Sequence, residues 1–208
     1  MGADEHTRET FRSERLVAFT DGVMAVAITL LVLDLKLPEG VREEALSAAI
    51  LNLSHGLWCY ALSFVVIGIL WMVHHNQFAH IVRVDGVILW LNLFFLMSVA
   101  LIPFVTSVLS DQGGPLSTML YAAVLTVSCS IIAVMWWYAG RTAGLMSPDV
   151  APDQHRLGII APLLVAGIFA ASIGVAYTFG AAAGQWTWLV AAVSGPVADR
   201  LSRLRFRL

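Results

Sequence analysis

Polar side chains in this sequence draw notice because so few occur inside its apolar runs. Arg15, Phe19, Thr20 and Asp21 form the pattern R-x-x-x-F-T-D at the head of one such run. An ionisable group inside a membrane span costs about 2.5–3.5 kcal/mol at mid-helix, so Asp21 calls for a partner. Arg15 lies about 9 Å away along a helix that rises 1.5 Å per residue. Three uses of Asp21 are open on these residues alone. It can answer a snorkelling Arg15, join a polar contact between helices, or relay protons.

A second polar cluster closes another apolar run as W-M-V-H-H-N-Q-F-A-H, residues 71–80. Trp71 fits an aromatic at the membrane interface. His74 and His75 are adjacent, so on a helix they point apart and cannot serve one ligand set. His74 and Phe78 are one turn apart and share a face. A histidine in this setting reads as a hydrogen-bonded structural group, and Asn92 as a buried amide bonding across helices. No His, Cys, Asp or Glu set has zinc spacing, so no structural metal is expected. Cys59 and Cys129 are far apart and form no disulfide framework. Ser54, His55 and Asp111 make no recognisable catalytic constellation, and no phosphate loop occurs. Neither an enzyme nor a cofactor is called for.

The elements that must hold these groups follow from composition. Of 208 residues, 59% are hydrophobic and 12% charged, with a mean hydropathy of +0.80. A soluble domain is nearer half apolar and a quarter charged, and this chain cannot clothe a soluble globule. The net charge of −2 leaves no basic body for nucleic acid. The charged opening MGADEHTRETFRSER has no apolar core and is not expected to be a signal peptide. About 20 apolar residues span a bilayer core, and six stretches qualify: residues 16–35, 55–80, 87–108, 116–139, 157–179 and 186–198. A short amphipathic piece, REEALSAAILNL, precedes the second. The reading is an all-α integral membrane protein, residues 1–208 forming a single membrane domain.

Charge then orients it. With six spans, Arg8, Arg12, Arg15, Arg83, Arg141, Arg156, Arg200, Arg203, Arg205 and Arg207 share one side, and only Lys36 and Arg42 face the other. The split is 10 against 2. The positive-inside rule puts both termini in the cytoplasm of a multi-pass protein of the cell's inner, or plasma, membrane.

Periodicity separates two faces of the first span. Val26, Thr29, Leu30 and Leu33 fall at i, i+3, i+4 and i+7, while Asp21, Ala25, Ile28 and Val32 fall on another face. The second is expected to be tied to neighbours and the first to be smooth. Such an aliphatic stripe by itself indicates lipid contact or helix packing. Small residues Ala166, Ala170 and Gly174 offer a close-packing stripe on the fifth span.

These motifs resemble the transmembrane protein 175 family of six-helix cation channels, also catalogued as a bacterial domain of unknown function. The resemblance rests on RLVAFTD, DGVMAVAITLLVLDLKLP, WMVHHNQF and LNLFFLMSVALIPF, and covers residues 12–108. It implies a potassium-permeable channel whose pore is lined by the first helix in a homotetramer. Carried over position by position, the pore rings are Val26, Thr29 or Leu30, and Leu33. The resemblance also sets Arg15, Thr20, Asp21, Trp71, His74 and Asn92 in a polar network behind the pore. Thr20 stands where serine is commoner, and Val26 where isoleucine or leucine is often found.

No T-V-G-Y-G carbonyl filter is present. Selection by such a channel would fall to hydrophobic constrictions that gate by dewetting. Thr29 hydroxyls would meet a partly dehydrated potassium ion in transit. The competing reading is an ion- or proton-coupled secondary transporter using Asp21 and His74 as a relay.

Overall fold

With no water to satisfy them, backbone groups in long apolar segments close their hydrogen bonds within the segment, and helices result. The computed structural model describes residues 2–37, 40 and 42–189, with side chains from residue 13 onward. Helix α1 spans Gly2–Leu30 and tightens into a 3-10 turn over Leu31–Asp34; α2 spans Glu43–Asn52, α3 Ser54–Phe78, α4 Gly86–Ala100, α5 Ile102–Gln112, α6 Pro115–Arg141 and α7 Pro152–Phe179. Residues 181–189 are helical again. Five helical segments of the described chain are long and apolar enough to cross a membrane: Ser13–Asp34, Ser54–Phe78, Gly86–Gln112, Pro115–Arg141 and Pro152–Phe179.

The first helix starts well before the expected residue 16, at Gly2, and three later boundaries also differ from those expected. The third span is not one helix, because it breaks at Leu101 between α4 and α5. Pro103 has no N–H and its ring would clash with the carbonyl of Val99, so the chain turns and restarts with proline in the first turn of α5. The fifth begins at Pro152 rather than 157, since proline at the first helical position costs nothing there. The expected sixth span at 186–198 is already helical from 181, and its residues 190–198 lie outside the described residues. The amphipathic piece is α2, which has no buried residue.

Contacts fix the direction of the helices. Leu35, just past α1, meets Gly56 near the start of α3, while Asp21 meets Trp71 near its end. α1 and α3 are therefore antiparallel. The loop after α3 pairs with the loop after α6: Ile81 and Met146 form an antiparallel bridge, and Val82 N–H donates to the Leu145 carbonyl at 2.9 Å. Gly144, with φ +82°, makes the tight turn that admits this pairing. One end of the bundle thus collects Arg15, Arg83, Arg141 and Arg156, and the other Lys36 and Arg42.

α6 runs through the core. Tyr121, Leu125, Ile132 and Met135 are buried along it beside Ile67, Ile88, Phe95 and Ile102. Hydroxyls are settled in relays. Tyr121 donates to Ser63 at 3.0 Å, Ser63 to Thr106 at 2.7 Å, and Thr106 to the Ile102 carbonyl at 2.7 Å. Ser128 donates to Ser98, which donates to the Phe95 carbonyl. Each relay ends on a backbone oxygen, so no buried hydroxyl proton in it is stranded. Residues 181–189 pack closely on α7: a Cβ on Gly184 would come within 2.7 Å of Ala176 Cβ.

Candidate pore helix and the polar network behind it

α1 presents opposite faces with opposite surroundings. Leu16, Thr20, Met24, Ala27 and Leu31 are buried against the other helices, a row at i, i+4, i+8, i+11 and i+15. Val26, Leu30 and Leu33 are 56%, 43% and 60% exposed, and Thr29 is exposed with them. The face tied to neighbours is therefore one residue away from the expected row of Asp21, Ala25, Ile28 and Val32. Ala25 and Val32 are exposed, and Asp21 and Ile28 only half-buried. Every face of this helix is apolar, so periodicity separates the faces without telling which one packs.

The 3-10 turn matters to the exposed row. Successive residues turn about 100° in an α-helix and about 120° in a 3-10 helix, where i and i+3 eclipse. Leu33 thereby comes directly above Leu30, about 40° to one side of Val26, with Thr29 about 60° to the other. The Thr29 hydroxyl donates to the Val26 carbonyl at 2.8 Å, which leaves its oxygen free to accept.

Behind α1, three predicted residues meet. His74 Nε2 lies 2.9 Å from Asn92 Oδ1, and Asn92 Nδ2 donates to Thr20 Oγ1 at 3.0 Å. All three are 0% exposed. A carboxamide oxygen only accepts, so in this arrangement His74 carries its proton on Nε2. Its Nδ1 is buried with no partner. The imidazole is stacked on Phe78 at 4.2 Å and on Phe95 at 5.6 Å between ring centroids.

Asp21 makes a separate contact, accepting from Trp71 Nε1 at 2.8 Å. Trp71 remains 39% exposed. Arg15 and Phe19 are exposed, and among the described residues no ion pair joins Arg15 to Asp21. The spacing explains this: six residues at about 100° each leave the two side chains about 120° apart. No described hydrogen bond links Asp21 to His74, the pair that a proton relay would need.

Some residues that shape this end of the bundle were not singled out from the sequence. Asp85 caps α4 by accepting from Ile88 N–H at 2.9 Å and accepts from the Tyr138 hydroxyl at 2.7 Å. A helix-cap reading of D-G-V-I could have found the first contact. Of the small-residue stripe on α7, Ala166 is buried, but Ala170 and Gly174 are exposed. The packing row is instead Pro162, Ala166, Phe169, Ser172 and Ala176.

Membrane-length helices, with no strand among the described residues and with buried polar contacts pinning the first helix, define a multi-pass helical membrane protein. The comparisons with known proteins narrow this. The family model described as endosomal/lysosomal potassium channel TMEM175 matches residues 15–103. A protein named a potassium channel in Streptomyces collinus is 36% identical over 149 residues, covering 69% of this chain and 72% of that protein. The chain belongs to this transmembrane protein 175 family. Another relative, named a potassium channel in Chamaesiphon minutus, is 29% identical over 158 residues, with 73% and 77% of the two chains covered. The mouse protein named endosomal/lysosomal proton channel TMEM175 is 24% identical over 149 residues, 71% of this chain but 30% of its own length. In fold, the chain matches the crystal structure of a lysosomal potassium-selective channel TMEM175 homolog from Chamaesiphon minutus. The TM-score is 0.72 at 24% identity, with 93% of this chain and 97% of that one covered.

Proposed function

We propose that this chain is a potassium-permeable cation channel, assembled as a homotetramer in which four first helices line the pore. The observation that carries the reading is the exposed aliphatic row Val26, Leu30 and Leu33 on a helix whose opposite face is buried. Bare apolar side chains at this spacing suit a ring of copies around an axis. Relatives named potassium channels support potassium as an ion it passes, and those named proton channels support protons as another.

Val26, Leu30 and Leu33 act as hydrophobic constrictions, narrow enough to hold an ion path dry until it opens. The eclipsed pair Leu30 and Leu33 favours Leu30 over Thr29 for the middle ring. Thr29, with its oxygen free to accept, gives a passing potassium ion a partial replacement for lost water. Thr20, His74 and Asn92, with Asp21 and Trp71, hold the pore helix from behind, and Arg15 and Phe19 sit at its entrance. Residues 1–208 form one membrane domain of six spans, both termini cytoplasmic, in the plasma membrane. The chain moves ions and catalyses no reaction.

Purified protein in liposomes tests this. A potassium gradient should collapse without a second gradient, with sodium and caesium as comparators. Potassium movement that requires a counter-ion gradient would instead establish the coupled transporter.

A further inference from the structure

A cavity of about 510 Å³ opens where α6 ends and α7 begins, at the cation-rich end of the bundle. Arg141, Thr142, Ser147, His155 and Arg156 line it, and no carboxylate does. Both arginines are exposed, and among the described residues neither forms an ion pair. Arg141 instead rests its guanidinium over the Trp137 ring, 4.9 Å from the centroid, which pins the charge at one height. Arg83 also comes up against Gly144 on the rim. Of the nearby acids, Asp149 is engaged with the Ser147 hydroxyl, and neither Asp149 nor Asp153 is part of the lining.

Two unneutralised guanidinium groups lining one concave site together with the Thr142 and Ser147 hydroxyls make a receptor for a planar or tetrahedral oxyanion. The surroundings say what kind. On α6, Arg141 is followed toward the membrane by Trp137 and Val134, both exposed and at intervals of four and three residues. On α7, Arg156 is followed by Ile160, Leu163 and Leu164, also exposed. Each arginine therefore stands at the water-facing end of an apolar row. A charged head held at the arginines with hydrocarbon lying on both rows matches an anionic phospholipid.

We infer that the cleft between the ends of α6 and α7 binds a phosphate-bearing anion through Arg141 and Arg156, supplied as the headgroup of an anionic phospholipid. No residue of α1 lines the cleft, so its arginines are tested separately from the ion path. Gly140 is part of the construction. Its missing side chain lets the His155 ring lie against α6, and His155 Nε2 has no partner of its own there.

The test is native mass spectrometry of the full chain, purified and exchanged into mixed phosphatidylglycerol and phosphatidylcholine micelles. The wild type should retain phosphatidylglycerol over phosphatidylcholine. R141Q/R156Q should weaken that preference roughly 30-fold, the product of two arginine contributions at an anionic surface. R42Q, at the opposite end, should leave it unchanged, and thermal melting should show both variants folded. An unchanged preference in R141Q/R156Q, or equal loss in R42Q, would overturn the inference. Adding inorganic phosphate separates the sources. Retention of the lipid at phosphate concentrations far above the lipid's supports the headgroup. Displacement at equal concentration supports the phosphate site and assigns it to a soluble anion.

Discussion

His74 and Asn92 are joined side chain to side chain, Nε2 to Oδ1 at 2.9 Å, at a point with no solvent access. The other end of the same amide reaches Thr20 on α1 at 3.0 Å. One carboxamide thus ties α4 to both α3 and α1. Removing Asn92 strands two groups, whereas removing Thr20 strands one. Polar bonds between helices in membranes average about 0.6 kcal/mol and reach about 1.7, and stranding a buried donor adds to the loss.

Asn92→Leu is therefore expected to destabilise the protein by about 2 kcal/mol and Thr20→Val by about 0.6 to 1. Thr20→Ser, which keeps the hydroxyl, should cost less than Thr20→Val. Thermal unfolding in detergent, followed by tryptophan fluorescence, ranks the three. Equal melting temperatures for Asn92→Leu and Thr20→Val would show that the amide is not the common tie.

The Asp21–Trp71 contact is half-exposed and makes a different forecast. Asp21→Asn retains an oxygen that can accept from Trp71 Nε1, while Asp21→Ala and Trp71→Phe each remove the bond. A double-mutant cycle should give a coupling of about 1 kcal/mol between Asp21→Ala and Trp71→Phe. Asp21→Asn should assemble better than Asp21→Ala on size-exclusion chromatography. Because the carboxylate is read as a clamp, altered ion selectivity in a normally assembled Asp21→Asn protein would contradict that role.

Much of this was readable from the residues. Long apolar windows dictate helices, and the meeting of the loops after α3 and α6 brings Arg83 and Arg141 to one end of the bundle. His74 and Asn92 were identifiable because a buried polar group in an apolar run needs a partner, whereas Thr20 entered the network only through the family resemblance. The pairing itself was less legible. Arg15 is six residues from Asp21, which reads as near in sequence yet turns the two side chains to different sides of the helix. The buried face of α1 was hidden by uniform hydropathy. The break at Leu101 required weighing Pro103 against a window that remained apolar throughout. The contact between Gly140 and His155 crosses two helices and a loop, so no local pattern carries it.

Enlarging the proposed constrictions should raise ion flow. Leu33→Ala and Val26→Ala shorten side chains on the exposed row of α1, and Val26→Asn makes one ring wettable, lowering a dewetting barrier. Single-channel currents in planar bilayers should increase for all three, with potassium preference over sodium reduced. Leu30→Ala should act as Leu33→Ala does, because the 3-10 turn eclipses the two positions. Met24→Ala, on the buried face, should lower stability by about 2 to 5 kcal/mol while leaving the selectivity of surviving channels unaltered. Unchanged currents in both Leu33→Ala and Val26→Ala would remove α1 as the pore lining.

Gly140 and His155 make a reciprocal test of how the α6–α7 junction is built. A Cβ at position 140 would fall directly on His155 Nε2, and the ring cannot simply swing away. It is stacked with Trp136 at 5.9 Å, and the Trp136 indole donates to the His155 carbonyl at 3.0 Å. That indole is itself seated on Gly158. Gly140→Ala should thus cost about 1 to 3 kcal/mol, the usual penalty of overpacking, despite alanine's better helix propensity. Removing the ring reverses the sign. In a His155→Ala background the clash is gone, so Gly140→Ala should be neutral or stabilise by up to about 1 kcal/mol. Thermal unfolding of the two single variants and the double variant reads this directly. A Gly140→Ala penalty that persists without the imidazole would mean that something other than His155 requires glycine there.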